Sequence, residues 1–254
     1  MTRILIVAAH PEPSSFTLTW ARETLRAAEA LGHEAALIDL HAAGFDPVES
    51  AAHYPRRDGP FDPLKAQEDG VEAADVRAQM AQIEAADWLI LHFPIYWFAP
   101  PAMIKGWCER VLAHGRLHDV ENRFDTGPCR GKRALFCVTT GASAAECGPD
   151  GKEGNLAHLL WPLAYTLRYC GFDVAEPIVE HGVHGYHSGA RKSELEARLT
   201  ARLRAQQDIM AGLEGRALLR FHPDGDFDDT GRLRPGIAPL SPFIAPPGAE
   251  GPDR

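Results

Sequence analysis

The sequence has no apolar run long enough to cross a bilayer, which takes about 18 residues in succession. Its first apolar run, Ile4 to Ala9, is closed by His10-Pro11-Glu12 and is too short for a secretory signal core with a cleavage site. A basic excess is also missing: 26 Lys and Arg stand against 35 Asp and Glu, a formal charge of −9. Phosphate-backbone binding needs a basic face, so a nucleic-acid partner is not expected. There is no C-x-x-C pair and no zinc-ligand spacing. The five cysteines (Cys108, Cys129, Cys137, Cys147 and Cys170) are odd in number and sit largely in apolar runs. Free thiols of this kind fit a reducing compartment, and the expected location is cytoplasmic, without membrane insertion. Internal repeats are absent. So are G-x-G-x-x-G and the Walker A pattern, which disfavours a Rossmann dinucleotide domain and a P-loop NTPase.

What is present is an ordinary globular composition, 45% hydrophobic and 24% charged, enough to bury a core without disulfides or a structural metal. Arg3 to Ala9 is an almost continuous branched apolar run, the signature of a strand buried on both faces. A helix over Thr17 to Leu31 stops at Gly32, and Glu34 to Leu40 reads as a second strand, completing a βαβ unit. The alternation continues. Helices are expected at 74–86, 101–113, 156–169 and 188–214, and strands at 87–94, 132–139 and 173–179. The implied fold class is α/β, a doubly wound sheet of five parallel strands with helices on both faces, fitting the flavodoxin-like order 2-1-3-4-5. Residues 42–67 read as a long excursion. Residues 1–220 are expected to form the main domain. Residues 221–254 are expected to form an irregular Pro/Gly-rich extension, loose over about the last ten residues.

In open parallel sheets, ligands bind beyond the carboxyl ends of the strands. Three loops there carry distinctive chemistry. The first, His10 to Thr17, opens a helix and offers hydroxyls at a helix N-terminus, a ready phosphate site; Ser15 acting only as a helix cap explains it equally well. The second, Pro94-Ile95-Tyr96-Trp97-Phe98, has three consecutive aromatics that cannot all enter one core face. They suit a planar ligand, or a subunit interface, or both. The third, Thr139-Thr140-Gly141-Ala142, has small residues that let a ligand approach the backbone. His181, His184 and His187 recur every third residue but lack supporting carboxylates, so no metal site is expected.

Taken together, the His10…Ser15-Phe16 loop, Phe93-Pro94-Ile95-Tyr96-Trp97-Phe98 with Pro101 to Val111 (P-A-M-I-K-G-W-C-E-R-V), Thr139-Thr140-Gly141, Leu160-Trp161-Pro162 and Cys170-Gly171-Phe172 resemble the NAD(P)H:quinone oxidoreductase family, the DT-diaphorases and their bacterial relatives. The similarity runs from about Arg3 to Arg220. It implies a homodimer, tightly held FAD rather than FMN, and a ping-pong cycle in which NAD(P)H and then a quinone-type acceptor use one pocket. On this resemblance His10, Ser15, Phe16 and Thr17 fall on the pyrophosphate loop. Pro94, Ile95, Tyr96, Trp97 and Phe98 fall on the ring wall, and Thr139, Thr140, Gly141 and Ala142 on the ring's polar edge. Glu109 and Arg191 fall near the adenosine half. Where the mammalian enzymes have a Tyr and a His, this chain has Cys147 and Glu153, and these two with Tyr96 are the catalytic candidates. Lys152 is a candidate cationic helper beside the reduced ring. The rival reading is an ancillary flavin-binding subunit of a membrane potassium-efflux system, with the C-terminal extension as its contact.

Overall fold

The computed structural model, which describes residues 1–55 and 59–245, turns each apolar run into a strand. Strands β1 (Arg3–Ala8), β2 (Glu34–Asp39), β3 (Trp88–Pro94), β4 (Arg133–Thr139) and β5 (Asp173–Val174) lie in the order 2-1-3-4-5. Every pairing is parallel. The two-residue alternation of a strand splits the apolar side chains between the faces. Leu5, Val7, Leu89, Leu91, Phe136 and Val138 join one core with α3 (Ala74–Ala85), α4 (Ala102–Val111) and α5 (Leu156–Tyr169). Ile4, Ile6, Ala8, Trp88, Ile90 and Leu135 join the other with α1 (Phe16–Ala30) and α7 (Gln206–Ala211). The central strands β1 and β3 are therefore covered on both sides, as the sequence implied.

Two expected elements are broken. The last strand divides into β5 and β6 (Ile178–Glu180), both paired to β4, because Pro177 between them has no N–H for the ladder. The long terminal helix divides into α6 (Gly189–Arg204) and α7, followed by a 3-10 turn at Leu213–Gly215. The break at Ala205 changes the buried face. No residue of α6 is buried, whereas α7 buries Gln206 and Met210.

A polar network docks α7 on α1. The Trp20 indole N–H donates to Gln206 Oε1, and Gln206 Nε2 donates to Thr24 Oγ1, each at 2.8 Å. Thr24 Oγ1 also lies 3.1 Å from His92 Nε2 inside the core. The excursion after β2 contains a short helix, α2 (Pro63–Glu68), and packs directly on α4. A Cβ on Gly106 would stand 2.0 Å from the Pro47 carbonyl oxygen, so only glycine admits this approach.

The extension carries one 3-10 turn, Asp224–Asp226, and lies on its own chain. Phe243 stacks on Trp161 of α5 at 4.7 Å, and Leu240 N–H donates to His222 Nε2 at 3.1 Å. The terminal residues expected to be loose lie outside the described residues. Among the described residues, no helix is long and apolar enough to cross a membrane.

Candidate active site at the sheet's switch point

Strand order reverses between β1 and β3, so the loops leaving these two strands diverge and open a cleft. Its first wall is the β1–α1 loop. His10 Nδ1 lies 3.0 Å from the Glu12 N–H and 3.3 Å from the Glu12 carbonyl oxygen, and the tautomer decides which of the two it bonds. Partial burial lowers the His10 pKa, partly offset by its bond to the Glu12 backbone. The Glu12 carboxylate accepts from Ser14 N–H at 2.9 Å and from the Ser14 hydroxyl at 2.6 Å. Ser14 is thus spent on shaping the loop and does not line the cleft. Ser15 is engaged differently. Its Oγ accepts from Leu18 N–H at 3.3 Å as the N-cap of α1, and it also lines the cleft. Phe16 and Thr17, at the first two helical positions, present N–H groups that no preceding turn can satisfy.

The second wall follows β3. Ile95 N–H donates to Thr139 O at 2.8 Å, tying this loop to the end of β4. Tyr96 and Ala99 then exchange backbone hydrogen bonds of 2.9 and 3.2 Å around Trp97 and Phe98. Both central residues have positive φ, 50° and 62°, which makes a two-residue type I′ turn. Such turns favour Asn-Gly; here two bulky aromatics are held in a strained backbone with their rings turned outward. Trp97 is 93% exposed, Phe98 51% and Tyr96 43%. Desolvation raises the Tyr96 pKa, so its phenol keeps its proton.

The third wall follows β4. Thr139 is buried, with its hydroxyl 3.1 Å from that of Thr17. Thr140 N–H donates to Glu180 O at 3.0 Å, and Ala142 N–H donates to Thr140 Oγ1 at 3.2 Å. Nothing stands within 4 Å of where a Gly141 Cβ would be, so the space beside this backbone is open. In the following loop Glu146 accepts from Ser143 and pairs with Lys152 at 3.1 Å, which holds its carboxyl down at about 2. Lys152 therefore faces solvent, 74% exposed on its side chain, and does not reach the cleft as expected of a cationic helper. Burial raises the Cys147 pKa, so it stands as a neutral thiol.

These walls enclose two adjoining cavities. One, of about 170 Å³, is lined by His10, Ser15, Phe16, Thr17, Pro94, Ile95, Tyr96, Thr139, Thr140 and Gly141. The second, of about 290 Å³, shares Ile95, Thr140 and Gly141 and adds Trp97, Phe98, Ala142, Cys147 and Glu153. Thirteen of the fifteen residues expected to bind a cofactor, and all three catalytic candidates, thus meet in one cleft. The other two stand apart. Glu109 pairs with Lys105 and lines a separate groove of about 930 Å³ that reaches Phe98. Arg191 sits exposed in the first turn of α6 and lines none of these cavities.

The sequence reading missed Val183, which lines the first cavity, and Leu156 and Leu159, which line the second. Val183 leaves the end of β6. Applying the strand-end rule to a fourth loop would have found it. The His184 and His187 rings lie 4.0 Å apart, tilted by 33°, and among the described residues no group of three His, Cys, Asp or Glu is placed to hold a metal.

The chemistry of the cleft suits a ligand with an anionic part and a planar ring. Helix N–H groups, hydroxyls and an imidazole serve the anion. Aromatic faces and exposed backbone serve the ring. Comparison with known proteins agrees. The flavodoxin-like fold family matches residues 2–205. NAD(P)H dehydrogenase [quinone] 1 of Rattus norvegicus is 35% identical over 202 residues, covering 76% of this chain and 74% of the relative. Ribosyldihydronicotinamide dehydrogenase [quinone] of Mus musculus is 32% identical over 191 residues, covering 71% and 82%. The crystal structure of a putative quinone reductase from Klebsiella pneumoniae superposes with a TM-score of 0.82 at 28% identity, covering 94% of this chain and 96% of the other. With this fold, this extent and these relatives, the chain belongs to the flavodoxin-like family of NAD(P)H dehydrogenases (quinone).

Proposed function

We propose that the protein is an FAD-dependent NAD(P)H:quinone oxidoreductase working by a ping-pong cycle, as a cytoplasmic homodimer. The observation that carries this reading is the meeting, at the switch point, of the α1 N-terminus, the outward aromatic turn and the open Gly141 backbone. When bound, the flavin supplies a site that accepts hydride from NAD(P)H and returns two electrons to the acceptor. The residues have simpler tasks. Ser15, the Phe16 and Thr17 N–H groups and the His10 imidazole hold the pyrophosphate. Trp97 and Phe98 form the wall against which the ring lies. The Gly141 backbone N–H, beside the open space at this loop, faces charge that builds on the ring's edge. The hydride leaves the acceptor one proton short, and the Tyr96 phenol or water provides it. The large groove beside Phe98, lined by Leu112, Trp161 and Tyr165, is an apolar surface suited to a second copy and supports the dimer.

The potassium-efflux alternative needs a free C-terminal contact. The packing of the extension's Phe243 on Trp161 of α5 weighs against it.

The test is the absorbance of purified, FAD-supplied protein under anaerobic conditions. The expected result is a flavin band that bleaches with NADPH and returns with menadione. Bound flavin that resists NADPH would overturn the enzymatic reading, and failure to bind flavin would overturn the assignment of all three walls.

A further inference from the structure

The second cavity has an unusual charge. Its aromatic and aliphatic lining, including Trp97, Phe98, Leu156 and Leu159, carries one formally ionisable acid, Glu153, and no Lys or Arg. The cation nearest in sequence, Lys152, is held by Glu146 at 3.1 Å. Among the described residues, the Glu153 side chain makes no ion pair or hydrogen bond; its backbone N–H is fixed by Glu146 O at 3.0 Å. The loop is tight there, since a Cβ on Gly151 would stand 2.1 Å from the same carbonyl oxygen. The carboxylate thus stands on a constrained backbone with no hydrogen-bonded or ion-paired partner among the described residues, and the Lys152 charge, committed to Glu146, acts on it only without contact. The other ionisable lining group, the Cys147 thiol, is neutral because it is buried.

A carboxylate beside aromatic faces in an apolar-walled cleft makes a field of one sign. Low-dielectric walls keep the field from being fully screened. A neutral quinone gains little from this arrangement and an anionic one is repelled. A planar aromatic ring with a fixed positive charge gains from the carboxylate.

We propose that Glu153 makes this cleft selective for planar aromatic cations, such as N-alkylpyridinium or phenazinium acceptors, over neutral or anionic rings of the same shape. This rests on the oxidoreductase reading above and names the substrate class for that same site. The oxidised nicotinamide ring is such a cation, so the carboxylate also holds this product more firmly than a neutral side chain would.

The test uses two probes of nearly equal shape, the cation 1-methylnicotinamide and neutral nicotinamide. Their binding to FAD-loaded protein is measured by titration calorimetry, without turnover. Wild-type protein should bind the cation about threefold to tenfold more tightly at low salt. In Glu153→Gln the ratio should fall toward one. In wild type it should shrink at about 0.5 M salt, where exposed charges are screened. The ratio of kcat/KM for N-methylphenazinium to that for menadione should fall in the same variant. A ratio unchanged by Glu153→Gln, or a wild type that does not prefer the cation, overturns the inference. If that same wild-type protein cycles between NADPH and menadione, the quinone reductase reading stands and only the selectivity fails. If it binds no flavin, both fail together.

Discussion

Trp97 and Phe98 occupy the left-handed backbone region that costs a non-glycine residue about 1–2 kcal/mol. Neither indole nor phenyl ring recovers that cost by full burial, with exposures of 93% and 51%. Strain without compensating burial is what a preformed ligand wall looks like. Replacing Trp97→Asn puts a residue tolerant of positive φ at the same place and removes no core. The flavin-free protein should gain about 0.5–1 kcal/mol in denaturant or thermal unfolding. Flavin affinity, measured by titration, should fall at least about tenfold through loss of the stacking face. Stability and binding moving in opposite directions is the distinguishing result. The sequence showed the need for an outlet, since three successive aromatics cannot share one face. It could not show the turn type, because propensity argues against Trp-Phe in a type I′ turn. In the first loop the same limit applied: Ser14 and Ser15 look alike in sequence, and only the position of the Glu12 carboxylate separates them.

Among the elements, the alternation of strands and helices and the order of the sheet were legible, because strands buried on both faces leave continuous apolar runs. The two broken elements differ in how visible their breaks were. Pro177 stands openly inside the expected last strand, and its missing N–H was reason enough to divide it. The α6–α7 break has no Gly or Pro. It arises because Gln206 turns inward to satisfy Trp20 and Thr24. That side chain is fully buried and replaces water for both partners. Gln206→Leu keeps the volume but leaves a buried indole N–H without an acceptor. The expected cost is about 2–3 kcal/mol, read from chemical denaturation, with α7 becoming the first segment to exchange its amide hydrogens. Phe16, whose ring lies 5.6 Å from that of Trp20, carries the network to the edge of the cleft.

For the molecule as a whole, the same network makes stability depend on pH. His92 is fully buried on β3, its Nδ1 has no partner among the described residues, and desolvation pushes its pKa down to about 3. The folded pKa lies below the unfolded value of about 6.5, so the unfolded chain binds a proton that the native protein refuses. Stability is therefore intact above about pH 6.5 and falls by up to about 1.4 kcal/mol per unit as pH drops toward 3. Urea midpoints at pH 7 and pH 5 should differ less in His92→Leu than in wild type; an equal difference would show that other groups set the acid limit. Thr24 keeps Gln206 as a partner in that variant. The distribution of tryptophan across the molecule has a separate use. Trp20, Trp88 and Trp107 are buried to within 1%, and Trp161 is stacked between Tyr165 and Phe243. Trp97 alone among the five stands nearly bare, at the mouth of the cleft. The red edge of the protein's intrinsic fluorescence consequently belongs to one indole. The molecule carries a built-in optical gauge of whether its cleft is occupied, readable without label or turnover.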